Sequence, residues 1–167
     1  VFKKSDSKVE WIKSFVHDLH TTFSNIKKFE KSNDFYVSQM EELGIPAYIY
    51  PFIIKGYKHL GDDREKLSKL FHLLEIVVFR DDLINSRADI YSRLNQILIH
   101  FDGNLDSLKT TLKERINASW YWSDVNVENY LNGYIRSRIA SYVLWRYENS
   151  IQRKGYKIGK LKIENKQ

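Results

Sequence analysis

The spacing of apolar side chains predicts helices along nearly the whole chain. Apolar residues recur at intervals of three and four, the period of one face of an α-helix, and polar residues occupy the positions between them. The first stripe belongs to a helix predicted from about residue 8 to residue 31, and we expect it to face the core. Its members are Val9, Ile12, Phe15, Val16, Leu19, Phe23 and Ile26.

Capping residues and glycines predict the limits of six further helices. These cover about residues 33–44, 47–60, 63–84, 89–102, 104–116 and 127–154, and Ser123 or Asp124 is predicted to cap the last of them. Pro51 either kinks the third helix or opens it. The chain is therefore predicted to be an all-α single domain of 167 residues, an irregular bundle of about six or seven helices. At most one short strand is expected, at residues 157–163.

The fourth helix is predicted to be central and buried, because it is apolar almost all the way round between Leu70 and Phe79. Asp81 falls on its core face, and Arg138 falls on the core face of the last helix. Since a buried charge needs a partner, we expect an ion pair between Asp81 and Arg138 with a structural role.

Positive charge is concentrated near the C-terminus. Residues 133–162 contain eight lysines and arginines against one acid, Glu148, whereas the whole chain has a net charge of +6. Such a stretch is typical of a surface that binds nucleic-acid phosphates. It is equally typical of a solvated helix face with a tail that docks on a neighbouring domain, the interpretation we favour. The candidate nucleic-acid contacts are Arg136, Arg146, Arg153, Lys154, Lys157, Lys160 and Lys162.

Aromatic residues accompany this basic stretch and allow the same two interpretations. They could stack on unpaired bases, or they could fill the core and a domain interface. We favour the interface, because a helix with so many rings is difficult to cover within one small domain. The residues are Trp120, Tyr121, Trp122, Tyr130, Tyr134, Tyr142, Trp145 and Tyr147.

Several kinds of chemistry are excluded or weakly supported. The chain has no cysteine, which excludes disulfides and thiolate metal sites and favours a reducing, cytoplasmic location. His17 and His20 lie three residues apart and could begin a metal site, but further ligands would be needed; we expect no metal and no cofactor. The longest apolar runs are too short to span a membrane.

Arg93 and His100 form one candidate catalytic pair. Their spacing resembles the Arg-x4-6-His motif of the HEPN family of all-helical ribonucleases, and seven residues place both on one helix face. The resemblance implies that the pair would polarise and protonate groups around a scissile RNA phosphate. The residue after Arg93 is Leu94, where that family usually has a polar residue.

A second resemblance covers more of the chain. Residues 70–80 (LFHLLEIVVFR) and 85–94 (NSRADIYSRL) resemble the helical middle of the GmrSD-type bacterial proteins. Residues 136–148 (RSRIASYVLWRYE) resemble the helix that leads into their HNH nuclease domain. In that family the middle region follows an N-terminal ParB/sulfiredoxin-like nucleotide-hydrolysing domain.

The departures from the family concern its catalytic motifs. The Asp-Gly-Gln-Gln-Arg-like motif is absent, and the sequence stops before the Ile-Glu-His-Ile-like motif. The resemblance implies a non-catalytic connecting domain, excised from a restriction or phage-defence protein, whose partners are the flanking domains. DNA is a second candidate partner. A nucleic-acid-binding module and a HEPN-like ribonuclease are the alternative functions.

Overall fold

The computed structural model describes residues 8–153, apart from the side chain of Arg153, and these residues contain eight α-helices and no strand. The all-α prediction is confirmed; the predicted strand at 157–163 lies outside the described residues. A 3-10 turn, Ala47–Ile49, precedes α3, and a π-helical turn, Lys113–Asn117, extends α6. The helices are α1 Lys8–Glu30, α2 Phe35–Leu43, α3 Tyr50–Leu60, α4 Arg64–Ile84, α5 Ile90–His100, α6 Leu105–Leu112, α7 Asp124–Leu131 and α8 Ser137–Arg153.

Short polar side chains start the helices where the sequence indicated. Asp34 accepts a hydrogen bond from the backbone N–H of Tyr36 at 2.8 Å, and Asp63 and Ser123 cap α4 and α7 in the same way. Gly44 ends α2 with a φ of 80°, a conformation that glycine adopts without a side-chain clash. Pro51 lies in the first turn of α3, so it opens that helix rather than kinking it.

The central position of α4 is confirmed. Its buried side chains are spread around the helix, and α2, α3, α6 and α7 all pack against it. Because neighbours surround it, α4 has no wide polar face. The apolar side chains that it buries are Leu67, Leu70, Phe71, Leu74, Val77, Val78, Leu83 and Ile84.

The prediction of one long final helix was wrong. The structure has two helices, α7 and α8, separated by residues 132–136. Gly133 lies in this break, and glycine is about 1 kcal/mol less favourable than alanine inside a helix. In the break, Arg136 turns toward the end of α4 and donates a hydrogen bond to the backbone carbonyl of Asp82. The chain therefore has a break, in which Arg136 contacts α4, where one continuous helix was predicted.

The prediction that the first stripe faces the core was also wrong. Every side chain from Lys8 to Thr21 is exposed, and Phe29, near the end of α1, is its buried residue. Phe29 packs in the bundle, where its ring centre lies 5.4 Å from that of Phe71. The first two thirds of α1 therefore project beyond the core. None of the described helices, α1 included, combines the length and the apolar character that a membrane crossing needs.

Candidate functional site

The C-terminal end of α4 holds an ion cluster that fixes the start of α8. Arg138 donates from one nitrogen, Nη2, to both carboxylate oxygens of Asp82, at 2.8 and 2.9 Å. Arg136 donates to Oδ1 of the same residue at 3.0 Å. The Asp82 side chain is 15% exposed while both arginines are about half exposed. One mostly buried carboxylate therefore anchors two arginines from the chain just before and within α8.

The predicted partner of Arg138 was wrong by one residue. Asp81 instead accepts a hydrogen bond from the Tyr48 hydroxyl at 2.8 Å. Adjacent residues on a helix point about 100° apart, so Asp81 faces Tyr48 while Asp82 faces α8. Burial raises the pKa of Asp81 above its ordinary value, and the hydrogen bond from Tyr48 opposes this shift.

A second ion pair lies further along the same two helices. Arg146 of α8 approaches Glu75 of α4 at 3.6 Å, and Glu75 is 1% exposed. Burial raises the pKa of Glu75 to about 7, although the positive charge of Arg146 opposes the shift. The Arg146 guanidinium also lies 5.6 Å from the ring centre of Phe35 and 5.9 Å from that of Tyr36. Arg146 is thus held by α2 and α4 together.

These contacts decide the role of two candidate nucleic-acid residues. Arg136 and Arg146 both contact carboxylates of α4, so their guanidinium groups are held against the bundle. Arg153 ends α8, but its side chain is not among those described. Lys154, Lys157, Lys160 and Lys162 lie outside the described residues, so their role stays a prediction.

The aromatic residues divide between the core and the surface. Trp122 is fully buried and Tyr142 is almost so, and the Tyr142 ring stacks on that of Phe79 at 5.2 Å. Trp120 is 85% exposed and Tyr134 93% exposed. Core filling explains the first pair. The second pair leaves apolar surface available at the two ends of α7, and the rings of Tyr121, Tyr130 and Tyr147 are also exposed. Trp145 is partly exposed, but its ring stacks on that of Phe35 at 5.2 Å.

The histidine pair shows no metal site. His17 and His20 are exposed on the projecting part of α1, and the described residues contain no group of three or more histidines and acids that could hold an ion. A metal ion would need at least one more protein ligand near them.

Arg93 and His100 share α5 but line different cavities. Arg93 borders a cavity of about 490 Å³ and His100 one of about 200 Å³, and Gln96 and Arg115 border both. The Arg93 guanidinium lies 5.6 Å from the ring centre of Trp122 and donates weakly, at 3.4 Å, to the backbone carbonyl of Arg115. These contacts give Arg93 a structural role in holding the Trp122 segment against α5.

An apolar face of α1 that was predicted to lie in the core is exposed instead. Ile12, Val16 and Leu19 are between 43% and 55% exposed, and Phe23 is 63% exposed. Large apolar surfaces on soluble proteins mark interaction sites more often than isolated apolar residues do. The periodicity showed that one face of α1 is apolar, and the described helices leave Ile12, Val16, Leu19 and Phe23 of that face exposed.

Comparisons of the chain with protein-family models, with curated proteins and with solved structures found no match.

Proposed function

We propose that this chain is a helical scaffold domain that binds neighbouring protein domains. The observation that carries the proposal is the pairing of the α8 arginines with Asp82 and Glu75. Because these contacts hold the guanidinium groups against α4, they are poorly placed to follow the phosphates of a nucleic acid. The apolar side chains left exposed around α7 and α8 suit protein contacts instead.

The two ion pairs also suit a connecting role. They lie about two helical turns apart, or roughly 10 Å, along the antiparallel α4 and α8. Two anchors at that separation fix the direction of α8 as well as its position. A domain attached to the end of α8 would therefore be held in a defined orientation.

The sequence resemblance to the GmrSD-type proteins suggests which domains flank this one. We infer a non-catalytic connecting domain of a bacterial GmrSD-like restriction or phage-defence protein. It would position a ParB/sulfiredoxin-like nucleotide-hydrolysing domain relative to an HNH nuclease domain. The helix that resembles the entry to the nuclease domain is α8, and the anchoring of α8 on α4 supports that assignment.

A double substitution tests the structural role of the arginines. Arg136→Ala with Arg138→Ala should lower the free energy of unfolding by about 1–2 kcal/mol, because Asp82 is left mostly buried without either arginine. The half-exposed arginines keep the effect below that of a fully buried pair. Urea unfolding followed by circular dichroism measures it.

The matched control is Arg64→Ala with Arg87→Ala, which removes the same charge from exposed positions. It should change the free energy of unfolding by no more than about 0.5 kcal/mol. Equal effects for the two double variants would contradict the structural role.

Ribonuclease activity is the second candidate, because Arg93 and His100 line neighbouring cavities that share Arg115. We expect the purified chain, with magnesium, manganese or zinc, to leave a labelled RNA intact, since Arg93 is held against Trp122. Gel electrophoresis of the RNA provides the measurement. Cleavage that His100→Ala abolishes would establish the ribonuclease instead.

A further inference from the structure

The exposed face of α1 follows a heptad repeat. Its apolar residues alternate at spacings of three and four without interruption, which gives a mean of 3.5 residues per turn. A straight helix has 3.6 residues per turn, so over these few heptads the stripe stays on one face of α1. A second helix with the same repeat can therefore pack along it. Heptad position a is occupied by Val9, Val16 and Phe23, and heptad position d by Ile12, Leu19 and Ile26.

The central part of this stripe is accessible in the described structure. Ile12, Val16, Leu19 and Phe23 are exposed on the projecting part of α1, whereas Ile26 is half-buried where the helix enters the bundle. The remaining described helices do not cover the stripe between residues 12 and 23. A helix of matching repeat could pack along about two heptads of it.

We propose that the occupant is α1 of a second copy of this chain, packed antiparallel. A second copy carries the same repeat, and a two-fold axis lets each helix fill the face of the other. This self-association goes beyond the proposed scaffold function. It uses α1, not the α7–α8 side assigned to flanking domains, so either proposal can fail without the other.

The position of the bundle favours the antiparallel arrangement. Ile26 and Phe29 enter the bundle near the C-terminal end of α1, on the side of the stripe or next to it. A parallel pair would bring two bundles to the same end and crowd them together. An antiparallel pair places them at opposite ends.

In the antiparallel register, the side chains that face each other across the contact also have complementary sizes. Val16 of one copy faces Leu19 of the other, and Ile12 faces Phe23, so smaller residues meet larger ones. Between Ile12 and Phe23, the positions beside the stripe hold one lysine, Lys13. No two lysines are therefore brought together in this stretch.

Sedimentation velocity of the full chain over a range of concentrations tests the association. The 20.0 kDa chain should convert to a species of twice that mass, with a Kd on the order of 10 µM because only about two heptads are paired. Ile12→Lys with Leu19→Lys should weaken the association by at least about 100-fold, because two lysine charges from each chain would be placed in the apolar contact.

The control is Ser14→Lys with Thr21→Lys, which adds the same charge to exposed positions on the opposite face of α1. It should leave the dimer intact. Circular dichroism should show the same helix content for all three proteins, because the substituted side chains lie outside the core. A single 20.0 kDa species up to about 500 µM, open-ended aggregation, or a dimer unaffected by the Ile12 and Leu19 substitutions would each overturn the proposal.

Cysteine cross-linking tests the orientation without interference, because the chain has no cysteine of its own. Chains with Ile12→Cys and chains with Phe23→Cys are mixed and oxidised. The antiparallel pair should form disulfides between the two different chains, since these positions then lie opposite each other. Disulfides that form efficiently within each single variant would overturn the antiparallel arrangement.

Discussion

Replacing Trp122 by alanine is expected to lower the free energy of unfolding by about 4 kcal/mol. The indole is fully buried, so its loss leaves a cavity that the surrounding helices can fill only in part. The variant would also remove the ring against which Arg93 packs at 5.6 Å. Arg80 donates to the backbone carbonyl of Trp122 at 2.7 Å, an acceptor that alanine at this position keeps. Urea unfolding followed by tryptophan fluorescence and circular dichroism measures the change.

Trp120 provides a matched control two residues away. It is the same residue type in the same segment but is 85% exposed. Trp120→Ala should change the free energy of unfolding by no more than about 0.5 kcal/mol. If Trp120→Ala lowered the free energy of unfolding as much as Trp122→Ala does, the burial assigned to these two side chains would be wrong.

Stability should fall as the pH rises from 4.5 to 7 because of Glu75. Burial raises the pKa of this carboxyl from 4.5 to about 7, so the folded state favours its protonated form. The resulting stabilisation is fully present below pH 4.5 and is lost as the pH passes through about 7. A shift of this size corresponds to about 3 kcal/mol.

The variant Glu75→Gln isolates this contribution, because glutamine resembles the protonated carboxyl at every pH. It should be close to the unmodified chain at pH 4.5 and more stable by up to about 3 kcal/mol at pH 8. Urea unfolding at several pH values gives the difference. Glu128→Gln, which removes an exposed carboxyl of α7, should have an effect within about 0.5 kcal/mol.

A Glu75→Gln variant less stable than the unmodified chain at pH 8 would contradict this account. It would mean that the attraction between Glu75 and Arg146 outweighs the cost of burying the carboxylate. The 3.6 Å separation and the dominant effect of burial on the pKa favour the opposite result.

The sequence predicted the helices well where local chemistry decides them. Side chains such as Asp34 and Asp63 cap a helix through atoms a few residues away, so their role is visible in the sequence. The apolar run in α4 likewise predicted a central helix. The break between α7 and α8 was missed, because it involves a contact between Arg136 and Asp82, two residues that are far apart in the sequence.

The site was predicted less well for a related reason. Periodicity gives the direction of a side chain only within its own helix, and it does not give the rotation of one helix against another. Arg138 was therefore assigned to Asp81 rather than Asp82. In α1 the pattern correctly indicated an apolar face, but a 3.5-residue repeat looks much the same whether the partner is the core or another helix.

Titration of a labelled duplex DNA with the chain distinguishes a scaffold domain from a nucleic-acid-binding module. We expect no salt-sensitive binding, because Arg136 and Arg146 are held against α4 and the C-terminal basic residues are assigned to a neighbouring domain. Replacing Arg153, Lys154, Lys157, Lys160 and Lys162 by alanine should then leave the fluorescence anisotropy of the DNA unchanged. Micromolar binding that weakens steeply between about 50 and 200 mM salt, with a slope that the five substitutions flatten, would contradict the scaffold function and establish a nucleic-acid-binding module.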